Sequence, residues 1–339
     1  MTFREVYQLT LLVFFVTNAF ACPDSAIPYE DIADALQTSK AVYDDKLSIN
    51  SLVPYTSFHI KKVYLFDNNE LDEPCIDGSL KVIIAERAFT TIVAMKGPNG
   101  PTSVKPELFK YLQIFKGTEV IFAGNHTSIN ICFWKSFKIM LPSIRNQLQD
   151  QARKYIITGH STGGAIASIL ALYMKVQEGR MWENSGTCLI TFGQPRVGDE
   201  LFAKLHDSVI DPFRKLRFIN DKDPIPHVPI WKTAVHHSRE IWMAYEPMTN
   251  KSYWKVCGNM DPLKCSNMWV LHTSPENHAI KSYENFIMNP PSVFLDKFST
   301  RYKRWLDALQ NSCVVNYKIE KIEHKGILDI NIWKKQRTV

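Results

Sequence analysis

Beyond its N-terminal segment, this chain of 339 residues has no apolar run long enough to cross a bilayer, which takes about 20 residues. No internal repeat and no low-complexity tract interrupts it. It also has little excess charge. The net value is +6, and the basic side chains are dispersed apart from Lys334-Lys335-Gln336-Arg337, so nucleic acid is not indicated as a partner. Only a mild attraction to anionic lipid surfaces follows from such a balance. What is present, 45% hydrophobic and 12% aromatic residues, is ordinary for a folded chain and excludes disorder. The length suits one large α/β domain or two small ones.

The first residues read as an export signal. Arg4 precedes the apolar run Leu9-Thr10-Leu11-Leu12-Val13-Phe14-Phe15-Val16, and Ala19-Phe20-Ala21 supplies an A-x-A cleavage pattern. Residues 1–21 are therefore expected to be a signal peptide, the mature chain to begin near Cys22, and the protein to be secreted. Seven cysteines fit an oxidising compartment. Cys257 and Cys265 bracket a short Gly-Asn-Met-Asp-Pro loop and are expected to pair. Cys22 and Cys313 lie near the two ends and could join them, leaving Cys75 and Cys132 as a third possible pair. Cys188 stands in the strand-like run Thr187 to Phe192 and reads as buried and unpaired. Asn125-His126-Thr127 and Asn250-Lys251-Ser252 are glycosylation sequons.

Along the chain, strands and helices alternate, which indicates a largely parallel sheet flanked by helices. A surface-lying helix is expected over Pro28 to Leu52, then strands over Lys61 to Phe66, Leu80 to Glu86 and Thr90 to Met95. The last runs into the turn Lys96-Gly97-Pro98-Asn99-Gly100-Pro101. Thr102 to Asn130 reads as irregular, with Phe109 to Phe115 either a lid, an interface-docking surface or part of the core. The apolar spacing of Phe137, Met140, Leu141, Ile144 and Leu148 predicts a helix over Phe133 to Ala152. Further strands are expected over Thr187 to Phe192 and Lys215 to Asn220, and helices over Asp199 to Ile210 and His278 to Met288. Antiparallel edge strands are expected within Lys232 to Met248. Residues 22–289 would form the main domain and 290–339 a C-terminal extension.

Gly159-His160-Ser161-Thr162-Gly163 falls between a buried strand, Lys154 to Thr158, and a helix whose first turn carries almost no side chain. A bare G-x-S-x-G arises by composition in roughly one chain in ten of this size. Strand before and helix after is the context that makes it a nucleophile elbow. A serine hydroxyl needs a base, and the base needs a carboxylate to fix its tautomer. Downstream, Asp221 and Asp223 follow the strand-like Arg217 to Asn220. Asp223 is the better acid because Asp-Pro-Ile-Pro stiffens its loop, although turn-forming aspartates are common. Among the later histidines, His227 is too near the acid in sequence, and His236 and His237 read as packing residues. His278 opens a helix and could reach the elbow. A zinc set of Cys257, Cys265, His272 and His278 has loose spacing and competes with a disulfide, so no metal and no cofactor are expected.

These residues together resemble the fungal-type class 3 lipase family of α/β hydrolases. The resemblance runs through Thr158 to Ala165, Thr191-Phe192-Gly193-Gln194-Pro195-Arg196-Val197-Gly198, Asn220 to Pro229, His236 to Trp242, the Cys257/Cys265 loop, and His278 with Tyr283. It implies an α/β-hydrolase fold, a Ser161–Asp223–His278 triad, an acyl-lipid substrate, no metal, and a lid over the site. The backbone N–H of Thr162 would serve the oxyanion. The sequence departs from the family at Pro98, where a Ser or Thr usually donates an N–H that proline lacks. Asn99 or Gly100 stands next in the turn to replace it. A second reading follows, a non-catalytic secreted binding protein that kept the fold. A serine peptidase on the same scaffold is disfavoured by the motif set.

Overall fold

A computed structural model describes residues 27–66, 75, 79–97, 116–179, 182, 186–229, 234–246, 251–257, 265–269 and 272–289. The expected signal peptide, the 290–339 extension, Phe109 to Phe115, Pro98, Asn99, Asn250, Cys22 and Cys313 lie outside the described residues.

The chain opens with α1 (Tyr29–Ala41), then β1 (His59–Phe66), β2 (Leu80–Arg87) and β3 (Thr90–Lys96). A hairpin of β4 (Gly117–Phe122) and β5 (Asn125–Asn130) leads into α2 (Ile131–Arg145). β6 (Lys154–His160), α3 (Thr162–Tyr173), β7 (Cys188–Phe192), α4 (Glu200–Val209) and β8 (Lys215–Asn220) follow. β9 (Glu240–Glu246), β10 (Lys251–Cys257) and α5 (Ile280–Ile287) complete the described part.

Eight strands form one sheet in the order β1-β2-β3-β6-β7-β8-β9-β10. The run β3-β6-β7-β8-β9 is parallel, and antiparallel pairs close both sides. The central strands are buried throughout because helices cover both faces. Strand alternation divides the core. Val93, Met95, Ile157 and Leu189 meet α2 and α3 on one face. Ile92, Ile156, Ile190, Phe192 and Phe218 meet α1 and α5 on the other.

Four expectations need correction. α1 ends at Ala41 rather than Leu52, because Asp44, Asn50 and Pro54 turn the chain, and Asp44 already caps the N–H of Lys46 at 2.9 Å. It is also a core helix, not a surface one. Its polar residues have partners across the sheet: Asp31 with Lys154, Asp34 with Arg87 at 2.9 Å, and Ser39 with Thr158 at 2.9 Å. The stretch read as irregular contains the β4/β5 hairpin, whose Ala123-Gly124 turn has φ of +44° and +85°, the pairing that matches strand twist. α2 stops at Arg145, seven residues before the expected end, where Arg145 pairs with Glu178. Finally, β9 lies parallel to β8, and only β10 beyond it is antiparallel.

Two disulfides are present among the described residues, Cys75–Cys132 and Cys257–Cys265, and Cys188 is buried and free. Asn125 is exposed at the start of β5.

Candidate active site

The carboxyl ends of β6, β7 and β8 carry the site. β6 runs buried to His160 and then turns into α3 through Ser161, whose φ of +57° and ψ of −130° are costly for a side chain with a Cβ. The turn closes only because Gly163 is bare: a Cβ there would lie 2.1 Å from the Met95 carbonyl oxygen on β3. The Ser161 N–H donates to the Phe192 carbonyl at 2.9 Å, which fixes the elbow against β7. Thr162 opens α3 and is buried, and Gly97 at the end of β3 backs directly onto it. The turn beyond Gly97 thus starts beside the N–H groups that open α3.

β8 ends at Asn220 and the chain bends through Asp221 to Asp223, which is fully buried. Asp223 accepts from the Ile225 N–H at 2.8 Å and from the Tyr283 hydroxyl at 2.5 Å. His278 closes a short helical turn, Pro275–His278, just before α5. Two contacts fasten this turn to the acid loop: Ser274 N–H to the Lys222 carbonyl at 2.8 Å, and Asn220 Nδ2 to the Asn277 carbonyl at 2.8 Å. His278 Nδ1 lies 2.9 Å from Asp223 Oδ2, and its Nε2 lies 2.8 Å from Ser161 Oγ. Ser161, His278 and Asp223 are therefore joined by one line of hydrogen bonds through residues far apart in sequence. With the carboxylate accepting, Nδ1 carries the proton and Nε2 faces the serine hydroxyl as an acceptor.

The electrostatics support that polarity. Burial alone would raise the Asp223 carboxyl. The His278, Tyr283 and Ile225 donors outweigh it and hold the group below the ordinary carboxylate value. Asp221, two residues away, sits at φ +39° and receives the Asn277 amide instead, at 3.3 Å. Its carboxyl is raised by burial.

The remaining histidines are engaged elsewhere. His227 Nδ1 meets Asn267 Oδ1 at 2.9 Å, and His236 Nε2 donates to the Pro226 carbonyl at 2.7 Å. His237 accepts from the Ser168 hydroxyl at Nε2, 3.0 Å away, and donates from Nδ1 to the Ser238 carbonyl at 2.6 Å. His272 is exposed. The zinc alternative does not assemble, because the Cys257 and Cys265 sulfurs are bonded to each other. His206, Asp207 and His237 bring three metal-ligating atoms close together. The Lys215 ammonium already fills that place, 2.6 Å from Asp207 Oδ1 and 3.3 Å from His206 Nδ1.

Three residues of the site, Tyr283, Gly193 and Arg196, stand in the sequence only as motif members without a role. Tyr283 donates to the acid. Gly193 has φ +59°, and a Cβ there would approach both Asp223 Oδ2 and His278 Nδ1 to 3.0 Å. Arg196 braces the acid loop through the His227 and Pro229 carbonyls, at 2.5 and 2.6 Å.

A largely parallel sheet covered on both faces, with a serine elbow after one strand and an acid loop after another, is the architecture of the α/β-hydrolase fold. A lipase from Rhizopus microsporus var. chinensis has the same fold, with a TM-score of 0.59 at 23% identity over 74% of this chain and 85% of that one. Residues 92–233 match the model of the class 3 lipase family. A lipase from Rhizomucor miehei is 34% identical over 42% of this chain and 41% of its own length. The secreted mono- and diacylglycerol lipase 2 of Gibberella zeae is 34% identical over 39% of this chain and 34% of its own. The chain thus spans less than half the length of these two relatives.

Proposed function

We propose that this protein is an exported serine hydrolase of carboxylic esters whose substrates are acyl lipids of the glyceride type. The observation that carries the reading is the continuous line from Ser161 Oγ through His278 to Asp223. His278 Nε2 takes the hydroxyl proton as Ser161 Oγ attacks the ester carbonyl. The Asp223 carboxylate holds the ring and steadies the imidazolium that forms. The alcohol leaves with that proton, and water, deprotonated in turn by His278, releases the acid from the acyl-serine.

The Thr162 N–H, at the N-terminus of α3, is assigned to the tetrahedral oxyanion, with a second donor from the turn that includes Asn99. One such donor is worth on the order of a hundred- to a thousandfold in rate. Export is supported by the two disulfides and by the relative named as secreted. Among the described residues, no helix is long and apolar enough to cross a membrane.

The test is labelling with a fluorophosphonate probe, followed by hydrolysis of short- and long-chain esters. Wild type is expected to label and to turn over ester, and Ser161→Ala to do neither. A wild-type protein that folds but does not label would overturn the hydrolase reading in favour of a binding protein.

A further inference from the structure

His160, the residue before the elbow serine, is buried and makes three contacts that the mechanism does not use. Its Nε2 lies 2.8 Å from the main-chain carbonyl of His278. A carbonyl oxygen only accepts, so Nε2 carries the proton. Its Nδ1 must then accept, and the Tyr43 hydroxyl donates to it at 3.0 Å. Its ring lies against that of His278, with centroids 4.6 Å apart and planes inclined by 30°.

Resting on the hydrolase reading above, we propose that Tyr43 and His160 form a positioning pair that sets both the ring and the main chain of His278. The Nε2–H bond fixes the backbone of the base. The stacked ring fixes its plane. Tyr43 comes from the chain just after α1, outside the segment shared with the class 3 lipases.

The titratable groups around His160 come from each element packed against it. These are His278 and Asp223 from the two loops, Tyr283 edge-on from α5 with centroids 5.8 Å apart, Tyr43, and Lys96 beside it in the sheet register. Burial, and then the neighbouring His278, push His160 down to about 3, so it stays neutral while the mechanism runs. Burial pushes the Tyr43 phenol up, so it remains a donor. When His278 becomes an imidazolium, it therefore meets a neutral ring. A second cation at that distance would oppose the charge the reaction must create.

Two variants separate positioning from bulk packing. His160→Phe keeps a stacked ring and loses the bond to the His278 carbonyl. Its fluorophosphonate labelling and kcat should fall about tenfold or more, with KM unchanged. Its acid limb should keep a one-proton slope. Tyr43→Phe leaves Nδ1 without its donor, so the ring keeps only its bond to the His278 carbonyl and loses its second anchor. Its labelling and kcat should fall severalfold with KM unchanged, and its acid limb should keep a one-proton slope. Wild-type labelling and kcat in Tyr43→Phe, or in His160→Phe, would sink the proposal. The nitrogen-15 shifts of His160 at pH 5 give a readout independent of activity. The neutral Nε2–H form is expected, and a doubly protonated ring would be equally fatal. If wild type fails to label while His160 keeps that tautomer, the hydrolase reading fails and the His160 geometry does not.

Discussion

A carboxylate taken out of water stays charged only where donors replace the solvent, and Asp223 has three of them. Tyr283 supplies one, at 2.5 Å. Hydrogen bonds to charged groups are worth about 1.5–3 kcal/mol, so Tyr283→Phe should cut kcat/KM about tenfold or more. The lost donor also leaves the Asp223 carboxyl higher, so the acid limb of the rate profile should move to higher pH. Wild-type rate and pH profile in Tyr283→Phe would show the hydroxyl to be incidental. At this scale the strand-to-helix context marks Ser161, whereas residue chemistry alone leaves Asp223 and His278 open among rivals, and it is the resemblance to class 3 lipases that singles them out. The donors around them were not legible. Tyr283 lies five residues past His278 on one face of α5, and nothing in its neighbours says that its hydroxyl turns inward. Gly193 is informative only once its backbone is known to pass beside Asp223.

At the scale of elements, the sequence pattern places β3, β6, β7 and β8 within a residue or two, since the first three are largely apolar on both faces and β8 carries the apolar run Phe218-Ile219 into its polar loop. α1 misled for a physical reason. A helix with Asp31, Asp34, Gln37 and Ser39 reads as solvated, yet Lys154, Arg87 and Thr158 wait for three of them on strands far away in sequence. The hairpin escaped notice because Ala-Gly is a weak turn signal beside Asn-Gly. The Cys75–Cys132 disulfide ties the segment before β2 to the first turn of α2, across a separation of 57 residues. Closing a loop of that size restricts the unfolded chain by about 4 kcal/mol in the chain-entropy account. Replacing both residues by alanine should lower the free energy of unfolding by a comparable amount. The shift should be read at neutral pH by urea titration, with labelling of Ser161 unchanged below the transition. A midpoint equal to that of wild type would mean that the bridge restricts little.

Across the whole molecule, the buried histidines set the response to acid. His160 is pushed down to about 3, and His206, His227 and His237 are also held below the usual imidazole range, in each case first by burial. For His206 and His237, stacked with centroids 3.9 Å apart, Lys215 and Arg217 add repulsion. His160, His206 and His237 stay neutral in the folded protein while the unfolded chain protonates them near pH 6.5, and His227 adds to the effect in the same direction. The unfolded state therefore binds more protons, and stability must fall as the pH drops below that value. One unit below it, the three strongly shifted groups together cost about 4 kcal/mol as an upper estimate, a large share of an ordinary folding free energy of about 5–15 kcal/mol. Buried Asp31 and Asp34 work in the opposite direction. Burial raises both despite their cationic partners, so in the folded state they take up protons before the unfolded chain does and soften the loss in acid. The urea midpoint should therefore be level above pH 7 and fall steadily below pH 6.5, the buried aspartates easing the slope in acid without cancelling it. A midpoint that stays constant down to pH 5 would mean that these rings are already solvated in the native state, and the same measurement would then count against a neutral His160 beside the base.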